Sequence, residues 1–500
     1  MKKFLMFALA AMMLPALALA QFSLSGKITD KNTSQALSGA SVSLNNTLYN
    51  QTNQQGNFVF QNLKAGTYRL KVTYLGFQSL ERQVILSQNQ SLEIALEPGS
   101  LLTDEVVVKS TRAARNSAST YQNISKAELE KNNLGQDLPY LLNQTPSAVV
   151  TSDAGAGVGY TGIRIRGSDP TRINVTINGI PYNDSESQGT FLVDLPDFAS
   201  SVNDIQIQRG VGTSTNGAGA FGASINIQTA SRRDSAYAEL NNTYGSFNTW
   251  KNTLNAGTGM IDNKFSVDGR LSNISSDGYI DRASSHLKSY FMSGAYYGKK
   301  SLLRANVFSG HEKTYQAWNG VPEYLLKTQR TYNEFTYPDQ TDNYTQNHYQ
   351  LLYSYAFSPK FSANGALHYT KGKGYYEEFK EDQKLTKYGL GPLPDGLTRS
   401  DLVRRRWLDN DFYGVTYALN YSPLNHLDFT LGGAYNEYDG NHFGEVIATA
   451  TTRPTTNGQH YYDGNGFKTD FNVFGKASYQ IDKIGLFTDL QYRRISYSIL

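Results

Sequence analysis

Gly217-Ala218-Gly219-Ala220-Phe221-Gly222 has the G-x-G-x-x-G spacing of a phosphate-cradling loop and follows a strand-like run, so dinucleotide binding is the first chemistry to weigh. That chemistry needs a helix directly after the glycines, whose N-terminus holds the pyrophosphate. Here Ala223 to Thr229 alternates with period two, which reads as a strand, and the glycines read as turn and close-approach residues. Cysteine is absent, so thiolate metal sites, disulfides and cysteine nucleophiles are excluded together. The 7 histidines begin at His286, which removes histidine-based catalysis from the first half. No convergent nucleophile, base or metal set occurs, and the expectation is no catalytic residue, no metal ligand and no cofactor.

Binding chemistry remains, and it sits in three long polar segments, His311–Tyr344, Gly372–Asn410 and Glu437–Gly466. Tyr315, Trp318, Tyr375 and Tyr376 offer aromatic faces beside polar groups, which suit an organic chelate or a sugar equally. Arg404, Arg405 and Arg406 would attract an anionic chelate, although a charge run on a loop is more often simply solvated. His311, His442 and His460 stand singly in these segments, and single histidines are usually not haem ligands.

The elements that must position these residues are β-strands. Apolar residues make up 39% of the 500 and charged residues 18%, against about 45–50% and about 25% in ordinary globular chains. Tyr (35), Gly (44) and uncharged polar residues fill the gap, so charge-driven disorder is excluded. Met1-Lys2-Lys3, the apolar run Phe4 to Leu19 and the small residues Ala18 and Ala20 read as a secretory signal over residues 1–20. Without Lys2 and Lys3 the net charge of +3 falls to 44 − 43 = +1, which leaves no basic footprint for nucleic acid. No later stretch reaches 18 apolar residues, so a membrane crossing would have to be made by a closed barrel.

Three zones follow. Between Phe22 and Pro98, Tyr68, Leu70, Val72 and Tyr74 alternate with polar residues and Phe58 and Phe60 mark a second strand, which predicts a small β-sandwich. The series Gly26-Lys27-Ile28-Thr29-Asp30, Leu37-Ser38-Gly39-Ala40, Gly56-Asn57-Phe58-Val59-Phe60 and Gly66-Thr67-Tyr68 resembles the carboxypeptidase regulatory-like domain, so residues 22–98 are assigned to it. Residues 101–230 open with a short helical pattern from Ser125, with Leu129, Leu134, Leu138, Leu141 and Leu142 on its apolar side, followed by strands. Ile165-Arg166-Gly167, Ile177-Asn178-Gly179-Ile180-Pro181, Leu195-Pro196, Ile207-Gln208-Arg209-Gly210 and Gly219-Ala220-Phe221-Gly222 occur in the order seen in the plug domain of TonB-dependent outer-membrane receptors, which this zone resembles.

Residues 235–500 alternate with period two in long runs, such as Tyr349, Leu351, Tyr353, Tyr355 and Phe357 against His348, Gln350 and Ser354. Tight turns near Gly298–Lys300, Ser358–Lys360, Ser422–Asn425 and Ile481–Lys483 alternate with the long polar segments, the pattern of an outer-membrane barrel rather than a soluble propeller. About eleven strands are predicted, starting near residues 235, 249, 264, 286, 301, 345, 361, 411, 426, 466 and 485. The resemblance implies a barrel of about 22 strands. The fold class is therefore mainly β: a sandwich, an α+β plug and the first half of an antiparallel transmembrane barrel, the second half being expected beyond this sequence.

The resemblance also implies roles. Thr103-Asp104-Glu105-Val106-Val107-Val108 resembles the TonB box, although the family often has Thr where Val106 stands; its β-branched core suits strand addition to a partner's sheet edge. Arg166 and Arg209 fall where family members carry plug arginines that pair with barrel-wall glutamates, some of these partners being expected in the half beyond this sequence; the plainer reading is that both arginines face lumen water. The apical loops Ser152–Tyr160 and Tyr182–Thr190 would meet substrate, through Asn183, Asp184, Glu186 and Gln188 in the second. The expected function is TonB-dependent import of a scarce substrate, first an iron–siderophore-type chelate, otherwise a glycan, vitamin or haem, with a non-transporting adhesion barrel as rival. The implied partners are TonB with its ExbB–ExbD motor, outer-membrane lipid and a small extracellular ligand, and the implied place is the outer membrane of a Gram-negative bacterium with the N-terminal domain in the periplasm.

Overall fold

The computed structural model describes residues 21–31, 33–45, 47–74, 77, 80–97, 112, 113, 119–215, 217, 220–229, 232–424, 426–450, 460–481 and 484–500. The signal segment and the Thr103–Val108 box lie outside the described residues. The chain divides into two compact units, Met1–Leu101 and Leu102–Leu500.

The first unit is a β-sandwich. Its strands are β1 (Phe22–Asp30), β2 (Ser41–Leu44), β3 (Leu48–Gln51), β4 (Asn57–Leu63), β5 (Gly66–Thr73), β6 (Leu80–Leu86) and β7 (Gln90–Leu96). One sheet has the order β4-β1-β7, the other β3-β2-β5-β6. Period-two alternation turns Leu24, Ile28, Val42, Leu44, Leu70 and Val72 into the space between the sheets, where all are fully buried.

The second unit holds an inner α+β domain and a large antiparallel wall. The inner domain contains β8 (Thr120–Ser125), α1 (Lys126–Asn132), α2 (Leu138–Leu141), β9 (Ala148–Ser152), β10 (Thr161–Ile165), β11 (Ile173–Ile177), β12 (Ile180–Pro181), β13 (Val202–Arg209) and β14 (Ala223–Thr229). Its main sheet runs β12-β11-β14-β13-β8, and β9 pairs with β10. Ser125 caps α1: the Glu128 carboxylate reaches back to accept from the Ser125 N–H at 2.8 Å. Leu129, Leu138, Leu141 and Leu142 are buried as their spacing predicts, but Leu134 is exposed, because it follows α1 in a turn and leaves the helical face. The glycine-rich run leads into strand β14, not a helix. A Cβ on Gly222 would lie 2.3 Å from Ser168 Cβ, so glycine serves close approach there.

The wall has eleven strands in sequence order. They are β15 (Tyr237–Gly245), β16 (Thr249–Gly257), β17 (Phe265–Ser276), β18 (Ser285–Tyr297), β19 (Ser301–Tyr315), β20 (Thr341–Ser358), β21 (Phe361–Lys384), β22 (Arg399–Leu424), β23 (Leu427–Thr449), β24 (Tyr462–Ile481) and β25 (Ile484–Ile499). Among the described residues β15 and β25 each pair on one side only.

Burial on the wall is inverted relative to a soluble domain. Leu271 (60%), Leu367 (56%) and Tyr353 (47%) are exposed on the outer face, while Ser354, Gln350 and His348 are buried on the inner one. Apolar out and polar in is the alternation of a strand with lipid outside and a filled lumen inside.

The long polar segments depart from the loop expectation. β21 continues to Lys384 and β22 begins at Arg399, so most of Gly372–Asn410 is paired strand, Arg404, Arg405 and Arg406 included. β23 likewise runs to Thr449. The backbone ladder carries on past the end of the apolar band, where both faces become polar and the period-two signal is lost.

Candidate functional site

A buried charge ties the inner domain to the wall. Asp197 follows Leu195-Pro196 with left-handed backbone (φ 51°), which turns its side chain outward from the domain. Its carboxylate is fully buried and meets Lys251 Nζ of β16 at 2.7 Å and Arg270 Nη1 of β17 at 3.7 Å. Thr253 Oγ1 (2.6 Å), Ser272 Oγ (2.8 Å) and Ser200 Oγ (2.6 Å) donate to the same carboxylate. Arg270 also donates to the Pro196 carbonyl at 3.2 Å, and Ser289 Oγ to that carbonyl at 2.6 Å. Burial alone would raise the Asp197 pKa, but Arg270 and Lys251 outweigh it and hold it down at about 2. Beside this polar tie, Phe198 packs on Phe308 and Phe291 of the wall with ring centroids 5.2 and 6.4 Å apart.

This tie was not predicted. Its signals were present: Asp197 in the apolar run Leu192–Phe198, and cations at Lys251 and Arg270 on strand faces that also carry Thr253, Asn255, Ser266 and Ser272. Arg166 has φ 52° and directs Nη1 to the Arg209 carbonyl at 3.4 Å and Nη2 to Thr120 Oγ1 at 3.4 Å. Among the described residues neither arginine pairs with a carboxylate of the wall.

At the other end, the loop after Tyr182 is knitted to itself. Asn183 Nδ2 donates to the carbonyls of Ile173 and Gln188, both at 2.9 Å, and its Oδ1 accepts from Val175 N–H at 2.7 Å. Asp184 Oδ1 accepts from the N–H groups of Glu186 (3.1 Å) and Ser187 (2.6 Å), and Gln188 Nε2 donates to the Ser185 carbonyl at 2.8 Å. Asn183, Asp184 and Gln188 thus shape the loop. Glu186 reaches the wall, accepting from Tyr438 Oη (2.8 Å), His442 Nε2 (2.7 Å) and Tyr497 Oη (2.7 Å), and the Ser185 carbonyl accepts from Lys468 Nζ of β24.

The predicted aromatics of the wall converge in part. Tyr315 is buried and donates to the Tyr337 carbonyl at 2.7 Å, which fixes the 316–340 connection. Trp318 stands edge-on between Tyr160 (5.7 Å) and Tyr376 (5.6 Å). Register places Tyr375 opposite Trp407 and Trp407 opposite Phe443, giving an aromatic row across β21, β22 and β23. Of the three arginines, Arg404 pairs with Glu378 (2.7 Å) and Arg405 with Glu377 (2.8 Å). Arg406 has no carboxylate partner among the described residues; it lies 5.4 Å over Tyr376 and 5.7 Å over Tyr462. Asn174 and Thr176 of β11, with Asn178 just after it, share the lining of a cavity with Asn364, Asn436, Arg493, Leu352 and Phe474 of the wall. No group of three or more His, Cys, Asp or Glu among the described residues is arranged to hold a metal ion.

Residues 24–108 match the family model of the CarboxypepD_reg-like domain, and residues 113–224 that of the TonB-dependent receptor plug domain. A search of curated proteins finds no matching sequence. Among solved structures, P. aeruginosa FpvA bound to heterologous pyoverdines is similar with a TM-score of 0.59 at 12% identity, over 81% of this chain and 57% of that one. The ferric-catecholate import receptor Fiu from E. coli K12 in its open form gives 0.57 at 14% identity, over 78% and 61%. The ferric citrate transporter FecA in its unliganded form gives 0.59 at 14%, over 80% and 58%. The chain thus spans less than two thirds of the length of each of these structures. With a carboxypeptidase regulatory-like domain, a TonB-dependent receptor plug and an eleven-stranded antiparallel wall, this chain has the fold of the TonB-dependent receptors.

Proposed function

We propose that this protein is an outer-membrane active transporter of the TonB-dependent type, its N-terminal sandwich in the periplasm, importing an iron–siderophore-type chelate. The observation that supports transport best is the polar character of the plug's seat: a buried tie at Asp197, Lys251 and Arg270, with further hydrogen bonds to the wall from Glu186 and Asn178. A stopper held by polar contacts, which water can replace, can be displaced by pulling on one end. The Thr103–Val108 box is assigned as the grip for TonB by strand addition, with ExbB–ExbD as the motor. Lipid leaves no sheet edge unsatisfied, so this reading requires further strands joining β25 to β15.

The chelate reading rests on the strip over the plug. Arg406, free of a carboxylate partner among the described residues, with Trp318, Tyr375, Tyr376 and Tyr462, offers cationic and aromatic surface to an anionic ligand with planar groups. Ferric citrate and ferric catecholate stand in the names of two similar structures. We assign Trp318, Tyr375, Tyr376 and Arg406 to ligand contact, and Tyr315, Asn183, Asp184 and Gln188 to shaping the surface beneath.

The test is uptake of radiolabelled ferric chelates by iron-starved cells carrying the full-length protein, with and without a proton gradient. The expected result is uptake that stops when the gradient collapses and when Val107→Pro is introduced, while surface binding persists in both. Uptake that survives gradient collapse identifies a passive pore, and binding without any uptake identifies an adhesin.

A further inference from the structure

Where the plug meets β19 and β20, three carboxyl groups are buried together without a cation. Tyr160, at the end of the Ser152–Tyr160 loop, directs its hydroxyl to Glu312 Oε1 at 3.2 Å and to Asp342 Oδ2 at 2.5 Å. Glu312 is 1% exposed and its Oε2 has no hydrogen-bond partner. Asp194 is 5% exposed and its buried Oδ1 also lacks a partner. No lysine, arginine or histidine pairs with Asp194, Glu312 or Asp342 among the described residues.

The stereochemistry of Tyr160 limits the charge state. A phenol has one hydrogen, so it donates to one of its two carboxyl neighbours only. The other contact is a hydrogen bond only if that carboxyl is itself protonated and donates to the phenol oxygen. With both carboxylates ionised, two buried anions and an unprotonated lone-pair contact would face each other, an arrangement low dielectric makes costly. Asp184 of the apical loop and the phenols of Tyr182 and Tyr344 also act on the cluster, and the Thr314 hydroxyl and the Asn343 N–H are neutral donors beside Glu312 and Asp342; none of these supplies positive charge.

We propose that this cluster holds a proton while the plug is seated, and that release of the Ser152–Tyr160 loop from β19 and β20 gives the proton up to water. Seating is then linked to pH. Burial, with Asp342 and Asp184 adding to it, pushes the Asp194 carboxyl well above the ordinary range. A group whose pKa is raised in the seated state binds its proton there and loses it on opening, so the seated state weakens as pH rises from the ordinary carboxyl pKa towards the raised one. The inference rests on the seating of the plug and stands whatever the cargo is.

Two measurements on the full-length protein in lipid nanodiscs test it. Infrared spectroscopy in D2O at neutral pH, in an Asp137→Asn background that removes the other plug carboxyl raised well above the ordinary range by burial, is expected to show a protonated carboxyl stretch that is lost when Asp194→Asn and Glu312→Gln are added, whose amides reproduce the shape without titrating. Hydrogen exchange of residues 153–163, corrected for intrinsic rates and followed upward from about pH 7, is expected to show opening that grows with pH, by up to about tenfold per unit for each proton released, until the seated cluster has lost its proton. That window lies above the titration of Asp153 in the same loop, whose pKa burial raises to about 6, and Asp153→Asn serves as the control that keeps the slope. Absence of the carboxyl band, a flat wild-type profile, or a double variant with the wild-type slope overturns the proposal.

Discussion

The carbonyl oxygen of Asp194 stands 2.0 Å from the position a Cβ on Gly310 would occupy, so β19 touches the plug at a point that admits only glycine. Pro196 Cδ lies 2.7 Å from the same position. Both neighbours belong to a rigid turn that ends in the Asp197 tie, so neither can swing aside as a long side chain would. Gly310→Ala is expected to lift this turn from the wall and to cost about 1–3 kcal/mol of seating. Protease sensitivity of the plug in detergent reads the effect. Gly294→Ala on β18, whose added Cβ would meet nothing within 4 Å, is expected to leave it unchanged.

Removal of the Asp197 carboxylate should be worse. Asp197→Ala leaves Lys251 and Arg270 buried beside each other, and stranding charges in this way costs about 3–5 kcal/mol. Restoring stability by adding Lys251→Met would identify the stranded cation as the cause, read as a double-mutant cycle in urea unfolding. The tie is insensitive to physiological pH. Its folded pKa of about 2 lies below the unfolded value of about 3.9, so its contribution is complete above the unfolded value and is lost only as pH falls through the folded one.

The three consecutive arginines are expected to separate by function. Arg404 and Arg405 pair with Glu378 and Glu377 on β21; Arg405→Ala leaves buried Glu377 with the Tyr337 hydroxyl alone among the described residues and is expected to destabilise the strand ends, and Arg404→Ala less so because Glu378 keeps Lys380. Arg406 faces Tyr376 and Tyr462 instead, and Arg406→Ala is expected to leave thermal stability unchanged. Its affinity for an anionic ferric chelate should fall about 10- to 100-fold, the worth of one charged hydrogen bond. Trp318→Ala should also weaken binding, through loss of its contacts with Tyr160 and Tyr376. Equal losses of stability in all three arginine variants would remove Arg406 from the ligand surface.

What could be seen in advance followed from locality. Strand starts at residues 249, 301 and 361 coincide with the observed ones, because alternation within a single strand carries its own signal. The extensions of β21, β22 and β23 carry polar residues on both faces, so pairing there is visible only in the ladder to the next strand. The Asp197 tie joins residues more than fifty positions apart, and no spacing within the plug announces it. Arg166 was legible as a motif residue, but its partner depends on a left-handed backbone that directs the guanidinium to Thr120 and Arg209.

Glu186 should respond to acid in the opposite sense from the carboxyl cluster at Tyr160. Burial opposes its ionisation, but donors from Tyr497, Tyr438 and His442 outweigh it and hold the carboxyl below the usual range. A pKa lowered in the folded state gives stability that is present above the unfolded carboxyl value and disappears as pH falls. Residues 182–190 are therefore expected to exchange amide hydrogens faster as pH drops below about 4, the ordinary carboxyl pKa. In Glu186→Gln the amide N–H₂ can donate to Tyr497 Oη while its oxygen accepts from Tyr438 and His442, so the strut to β23 and β25 persists but loses its charge assistance and no longer titrates. Local opening should rise about tenfold, consistent with loss of one charge-assisted hydrogen bond at a half-exposed site, and the acid dependence should vanish. Because Asp184 shapes the loop through backbone N–H groups, Asp184→Asn is expected to loosen the turn while keeping the acid response. A Glu186→Gln variant that still loosened in acid would move the titrating group elsewhere.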